Sequence, residues 1–435
     1  MSRLISKRIS NYLGRHEWAL VTWAGVASFV SYCCMYMYRK PYTAATFADQ
    51  SWIWADYKIA LVVAQVIGYA LSKFVGIMLI SELEPKRRGL LFLGLIVWAE
   101  IALIGFALTP STWGVFWLFL NGLPLGMIWG IVFSYLEGRK WTEILTVMIS
   151  ANFIFSSGLA KSIGSQLLIL GFSGQSMPMV VGLLFFPLLL VSLWMLLQIP
   201  PPSADDQRLR FERKPMDARQ RVAFFKRYAL MICLFVAIYL LLTIVRDVRD
   251  NFAVEIWAGL GFTDQPSVFV LAEIPVAIAV FALIGLTAFI KNNQRALFIN
   301  LLLTLLGGVL LITTTWWYQQ GELLPVSWMI ISGAGLFVPY ILFNGIIFDR
   351  FIGTLKVTAN VGFLMYLADA IGYLGSVSIL LWRNFGETDL SWLRFYVQLC
   401  YLGGFIVVAL SIVVSWTVWR NTRSVRWAMG GRRFL

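Results

Sequence analysis

The chain has 435 residues, of which 59% are hydrophobic and 15% aromatic, while only 13% carry charge. So few charges cannot shield that much apolar surface from water, which excludes a soluble fold and points to a membrane protein. The formal net charge of +13 is set by membrane topology, as its distribution along the chain shows, and is not read as nucleic-acid binding.

Crossing a bilayer takes about 20 apolar residues per helix, and twelve stretches qualify: 18–38, 58–81, 89–108, 112–136, 144–170, 177–199, 228–250, 267–290, 295–317, 325–348, 357–382 and 394–419. The first apolar run is long and has no small-residue cleavage motif, so it is expected to stay as a helix. It ends in "MYMYRKPY", with Arg39 and Lys40 at its outer end. The fifth stretch is the most polar, with Asn152, Ser156, Ser157, Lys161 and Ser162; polar spans in a bundle usually face a cavity.

Lys and Arg alternate with poorer loops along the chain. They gather at the N-terminus, after the second, fourth, eighth and tenth stretches, and in the tail from Arg420 onward. The opposite loops, such as "TPST" and "QQGELLP", are acidic or neutral, and only the link with Arg383 and Arg394 fits poorly. The positive-inside rule then puts both termini in the cytoplasm. The four cysteines, Cys33, Cys34, Cys233 and Cys400, lie inside spans, as apolar packing residues suited to neither a disulfide framework nor a metal site.

The longest cytoplasmic stretch falls near the middle. Between Asp205 and Arg227 it holds eight Lys or Arg and four Asp or Glu, too polar to enter a bilayer. The expected fold is an all-α membrane protein of twelve transmembrane helices in two six-helix halves. An N-terminal bundle spans 1–200, a cytoplasmic linker 201–227, and a C-terminal bundle with a basic tail 228–435. Two related halves around a central cavity are what alternating-access transporters look like.

A cation inside a span costs about 2.5–3.5 kcal/mol at the bilayer centre, so it needs a reason to be there. Arg39 ends its helix on the outer side, where Lys and Arg are disfavoured, and binding is favoured over snorkelling. In the seventh span, "TIVRDVRDNF" holds Arg246, Asp247, Arg249 and Asp250 at the corresponding depth. Arg246 and Arg249 share one helix face, and Asp250, four residues beyond Arg246, is placed to pair with it. Arg39 and Arg246 are expected to approach each other from the two halves. Two guanidinium groups facing one cavity repel unless an anion sits between them, and their planar fork suits phosphate or carboxylate oxygens.

"YMYRKPY", "GYALSKFVGIMLISELEPKRR", "LNGLPLGMIWGIVFSYLEGRKW" and "GFLMYLADAIGYLGSVS" resemble, in order, helices one, two, four and eleven of the organophosphate:phosphate antiporters of the major facilitator superfamily. That family includes the glycerol-3-phosphate, hexose-phosphate and glucose-6-phosphate transporters. The resemblance implies that Arg39 is the first substrate-phosphate arginine and Arg246 the second, with Lys73 adding positive potential and Lys40 supporting the field. The chain departs from the family in three places. Its only histidine, His16, lies outside the spans, so helix five offers Asn152 and Lys161 instead of an imidazole. The acidic loop after helix two is degenerate, with Ser81, Glu82 and Glu84. Glu273 falls about one turn later than the family's helix-eight glutamate.

Other ionisable groups within spans are Glu100, read as structural or lipid-adjacent, and Asp369 and Lys161, read as cavity-lining. Tyr36, Tyr42 and Trp129 are the aromatics assigned to the substrate. Substrate-binding candidates are therefore Arg39, Arg246, Lys73, Lys40, Lys161, Tyr36, Tyr42, Trp129 and Asn152; those for coupling or gating are Glu273, Asp369, Asp250 and Arg249.

The sequence has no Walker-type loop, metal-ligand spacing or nucleophile elbow, so an enzyme is not expected, nor is a cofactor or metal. The expected partners are a small anionic substrate and the lipid bilayer, with no nucleic acid, and the chain is expected to be a monomer in a bacterial inner membrane. The function these readings point to is secondary active transport of a small organic anion, foremost a phosphate ester, in exchange for inorganic phosphate. The alternatives are proton-coupled transport of another anionic solute (a carboxylate, peptide or cell-wall fragment), motivated by Glu273 and Asp369, and a transporter-like receptor for such an anion.

Overall fold

The computed structural model describes residues 6–48, 50–53, 55–81, 84–137, 139–203, 206, 218–263, 265–355, 361–386 and 390–430. Among these, eleven helices are long and apolar enough to cross a membrane. Val361–Gly386, at 26 residues and roughly 39 Å at the helical rise, covers the eleventh stretch expected from the sequence but is not one of those eleven helices. Residues 204–205 and 207–217 of the expected linker lie outside the described residues.

Helices dominate because a backbone crossing hydrocarbon must satisfy its own hydrogen bonds within one segment. A short α1 (Lys7–Arg15) leads into α2 (Glu17–Arg39). The chain after Arg39 makes a 3-10 turn at Pro41–Ala44 and then a small antiparallel hairpin. There β1 (Ser51–Trp52) pairs with β2 (Ala55–Asp56), with Ser51 opposite Asp56. Pro41 accounts for the break, since it cannot donate to a continuing helix. Next come α3 (Tyr57–Ser81), α4 (Arg88–Leu108) and α5 (Gly114–Phe133). The polar fifth stretch is broken into α6 (Thr142–Ser150), a 3-10 turn at Ala151–Phe153, and α7 (Phe155–Ile169). Its own side chains bridge the break. Asn152 Nδ2 donates to the Ile149 carbonyl at 3.0 Å, and Ser156 Oγ donates to Asn152 Oδ1 at 2.5 Å.

The chain then forms α8 (Met177–Leu197), α9 (Ala218–Asn251), α10 (Ala253–Gly259), α11 (Ser267–Ala288), α12 (Asn293–Gln319) and α13 (Pro325–Ile341). α9 is kinked at Tyr228. A π turn at Leu342–Ile346, just past Pro339, carries α13 into α14 (Ile347–Leu355), so the tenth stretch runs beyond its expected end. α15 (Val361–Gly386) and α16 (Trp392–Gly430) complete the chain.

The residues cluster into two compact units. The first takes in residues 1–211, 249–281 and 377–393, and the second 212–248, 282–376 and 394–435. α9, α11 and α15 therefore each divide between the units along their length. In the first unit, α3 lies along α5 because glycines remove the side chains between them. A Cβ on Gly122 would overlap the Gln65 carbonyl, and one on Gly126 would press on the Tyr69 carbonyl. Cys33, Met37, Ala44, Ala160, Met177 and Val181 form an apolar core joining α2, α7, α8 and the 3-10 turn. In the second unit, Phe235 meets Phe343, Phe348 and Phe351 edge to face, and Trp328 stacks on Tyr318 at 4.2 Å.

The exposed surface is apolar where lipid would touch it. On α4, Leu90, Val97, Trp98 and Ile101 point outward while Phe92, Ile96, Ala99 and Leu103 are buried. Cys33, Cys34 and Cys400 are buried and Cys233 is exposed, all as free thiols.

Candidate functional site

The close α3–α5 crossing holds the end of α2 in place through buried amides. Gln65 Nε2 donates to the Arg39 carbonyl at 2.9 Å and to Asn121 Oδ1 at 2.8 Å. Asn121 Nδ2 donates in turn to the carbonyls of Tyr38 at 3.2 Å and Ala99 at 3.1 Å. Sequence reasoning passed over both residues. The available signal was a lone amide in an otherwise apolar stretch, which must find partners when buried.

Arg39, so held, lays its guanidinium carbon 3.8 Å from the centroid of the Tyr69 ring, and the Lys73 ammonium stands 5.3 Å from the same centroid. One aromatic ring thus gathers two cations within the bundle, through the attraction of a positive charge for an aromatic face. Tyr69, from the "GYALSKF" segment, is a further residue that the sequence reading had not selected. Tyr36 meets Tyr32 edge to face with centroids 5.6 Å apart, and Tyr32 borders Tyr69 and Arg39. Tyr42 is buried in the 3-10 turn after Arg39. Trp129 is stacked on Phe133 at 4.8 Å, and Asn152 is occupied by the bonds across the α6–α7 break described above.

A second cluster in the first unit gathers on Asp250. Its carboxylate accepts from Lys161 Nζ at 2.6 Å and from Ser157 Oγ, and pairs with Lys40 Nζ. Lys161 also donates to the Asp250 carbonyl and Lys40 to Asn251 Oδ1, each at 2.7 Å. Arg249 Nη2 pairs with Glu273 Oε1 at 2.7 Å. Close by in sequence, Lys58 Nζ pairs with Glu255 at 2.5 Å and donates to the Thr43 carbonyl at 2.9 Å. This pair was not anticipated, since Lys58 at a helix start looks like an ordinary interfacial lysine.

These contacts correct three expectations. Asp250 does not pair with Arg246; it holds two lysines, because Ser157 and Lys161, one turn apart on α7, both reach it. Lys40 and Lys161 are consequently matched cations, where they had been read as field support and cavity lining. Glu100 is not lipid-adjacent. It is 7% exposed, on the inner face of α4 with Ala99 and Leu103.

In the second unit, Arg246 Nε donates to Asp247 Oδ1 at 3.0 Å, and its Nη1 donates to the Tyr340 hydroxyl. Its guanidinium carbon lies 4.4 Å from the Tyr340 ring centroid. Tyr239 stacks on Tyr340 at 5.3 Å and donates to Asp369 Oδ1 at 2.5 Å. One arginine, two tyrosines and two carboxylates thus form a continuous polar network within that unit. Outside the spans, burial raises the Asp206 carboxyl. The amides of Lys140 and Ser203, the Ser203 hydroxyl and the Arg139 charge outweigh that and hold it below the usual carboxylate range.

A family model described as a family of unknown function, DUF5690, matches residues 41–421. No curated protein matches the sequence. Among solved structures, the crystal structure of a D-xylose-proton symporter superposes with a TM-score of 0.55 at 15% identity, covering 93% of this chain and 97% of that one. The chain therefore shares the all-α fold of that symporter structure, and it is a multi-pass membrane protein.

Proposed function

This chain belongs to the DUF5690 family, and from that premise we propose that it is a secondary active transporter of a small organic anion, foremost a phosphate ester. Transport proceeds by alternating access of two six-helix halves, 1–200 and 228–435, joined by the linker 201–227. The observation that carries the reading is the pair of cations, Arg39 and Lys73, gathered on the Tyr69 ring inside a membrane bundle. Cations within membrane spans are rare, face the bundle interior or a cavity, and mark substrate or ion pathways. The likeness of the helix-one and helix-two segments to organophosphate:phosphate antiporters supports the choice of phosphate and of exchange. Arg246 keeps its place as the second anion-binding arginine, and the anion would have to draw it away from Asp247. The chain acts as a monomer in a bacterial inner membrane, with both termini in the cytoplasm.

The test is thermal stabilisation by a panel of phosphate esters, carboxylates and inorganic phosphate, comparing wild type with Arg39→Lys and Arg246→Lys. Wild type gains stability with phosphate-bearing anions, and both variants lose most of that gain because an ammonium cannot reproduce the bidentate fork. No response from wild type, or equal responses from all three proteins, defeats the proposal.

A second reading, proton-coupled transport of an anionic solute, is favoured by the Tyr239 bond to Asp369. The D-xylose-proton symporter of similar fold is named for that kind of coupling. Uptake driven by a pH gradient, and abolished in Asp369→Asn, distinguishes it from exchange.

A further inference from the structure

Every other buried acid with a described side chain in the helices has a partner: Asp247, Asp250, Glu255 and Glu273 meet cations, and Asp369 accepts from Tyr239. Glu100 is the exception among the described residues. Neither of its oxygens has a hydrogen-bond partner, and the nearby Tyr38 hydroxyl has none either. α4 packs against α2, α5 and α8. From α2 the titratable group facing Glu100 is Tyr38, with Cys34 one turn before it. α5 and α8 contain no titratable residue. A Cβ on Gly182 of α8 would overlap Glu100 Oε2 and come within 3.0 Å of Tyr38 Cε1, so the carboxyl occupies the space that this glycine leaves open.

An ionised carboxylate in such a place has neither a cation nor a donor, and its desolvation costs several kcal/mol where the neutral acid pays far less. A metal cation would need several oxygen ligands, and the enclosure supplies one carboxyl and one phenol. We propose that Glu100 is a proton-binding site, carried as the neutral acid in this conformation and linked through Asn121 to the Arg39 end of α2. Asn121 provides the link because it donates to the carbonyls of Ala99 and Tyr38, the residues immediately before Glu100 and Arg39. An anion at Arg39 adds negative charge to the same bundle and favours the protonated acid. Protonation therefore favours anion binding. The link rests on the anion reading above, whereas the proton site does not.

Two measurements on the full chain test this. Infrared spectra of wild type and Glu100→Gln at neutral pH, without any anion, are expected to show a protonated-acid carbonyl band present in wild type and lost in the variant. Identical spectra would overturn the proton site whatever the anion results. The link is read from the affinity for sulfate, a tetrahedral dianion whose charge is constant over the range, as pH rises. Wild type weakens by up to about tenfold per pH unit above the titration of Glu100, while Glu100→Gln, neutral throughout, keeps its affinity. Parallel pH profiles in the two proteins would overturn the link. Absence of any anion response at every pH counts against the anion reading and the link, and leaves the infrared band to decide the proton site. Circular dichroism and elution volume establish that Glu100→Gln is folded. If it is not, Gly182→Ala serves as a second variant, because its Cβ displaces the carboxyl and shifts or broadens the band; an unchanged band would overturn the placement.

Discussion

Replacing Asp250 with Asn removes one negative charge and leaves two buried ammonium groups facing a neutral amide. Breaking a buried pair by neutralising one partner typically costs about 3–5 kcal/mol, because the remaining charge stays desolvated. Here two cations lose the same carboxylate, which raises the cost. Each keeps a neutral acceptor, the Asn251 side chain for Lys40 and the residue-250 carbonyl for Lys161, which lowers it. The two effects roughly offset, so about 3–5 kcal/mol is the expected loss, read from equilibrium unfolding in mixed micelles of mild and denaturing detergent. Ser157→Ala, which removes one donor to the same carboxylate and strands no charge, is expected to cost about 1.5–3 kcal/mol at most. Lys40→Met combined with Asp250→Asn should cost less than the sum of the two, with a coupling of about 0.5–3 kcal/mol. A loss below about 1 kcal/mol for Asp250→Asn, or strict additivity in the cycle, would refute the reasoning.

Gly122→Ala drives a Cβ into the Gln65 carbonyl and should destabilise by about 1–3 kcal/mol. The thermal response to phosphate should fall with it, since Gln65 holds the Arg39 carbonyl. Asn121→Ala removes its bonds to the Tyr38 and Ala99 carbonyls and takes one acceptor from Gln65 Nε2, and should cost about 1–3 kcal/mol; thermal unfolding measures it. Asp206 has a lowered folded-state pKa, so its stabilisation is present above the ordinary carboxylate pKa of about 3.9 and disappears as pH falls through the folded value. Asp206→Asn should therefore be less stable than wild type at neutral pH and converge with it below about pH 4.

The helical class and nearly every span were legible in the sequence because hydrocarbon leaves the backbone so few choices. The weak fifth stretch was legible as an anomaly, and it is the one that breaks at Asn152. The partner choices were not legible. Helical spacing made Asp250 a natural mate for Arg246, yet Asp247 holds that arginine and α7 brings Lys161 and Ser157 to Asp250. Contacts between helices distant in sequence have no local signature. Arg39 and Lys73 could be singled out by the cost of their charge, whereas Tyr69, which joins them, looks like any membrane tyrosine. Glu100 was read as structural or lipid-adjacent because its distinguishing feature, the lack of a hydrogen-bond partner, is revealed only by the packing of Gly182 and Tyr38 around it.

The most direct test of anion transport through Arg39 is counterflow in proteoliposomes, with unlabelled phosphate or phosphate ester inside and a labelled trace outside. Wild type is expected to accumulate label transiently, and Arg39→Lys to lose at least about tenfold of that rate, the equivalent of about 1.4 kcal/mol. Binding without any counterflow in wild type, or undiminished counterflow in Arg39→Lys, would contradict the account.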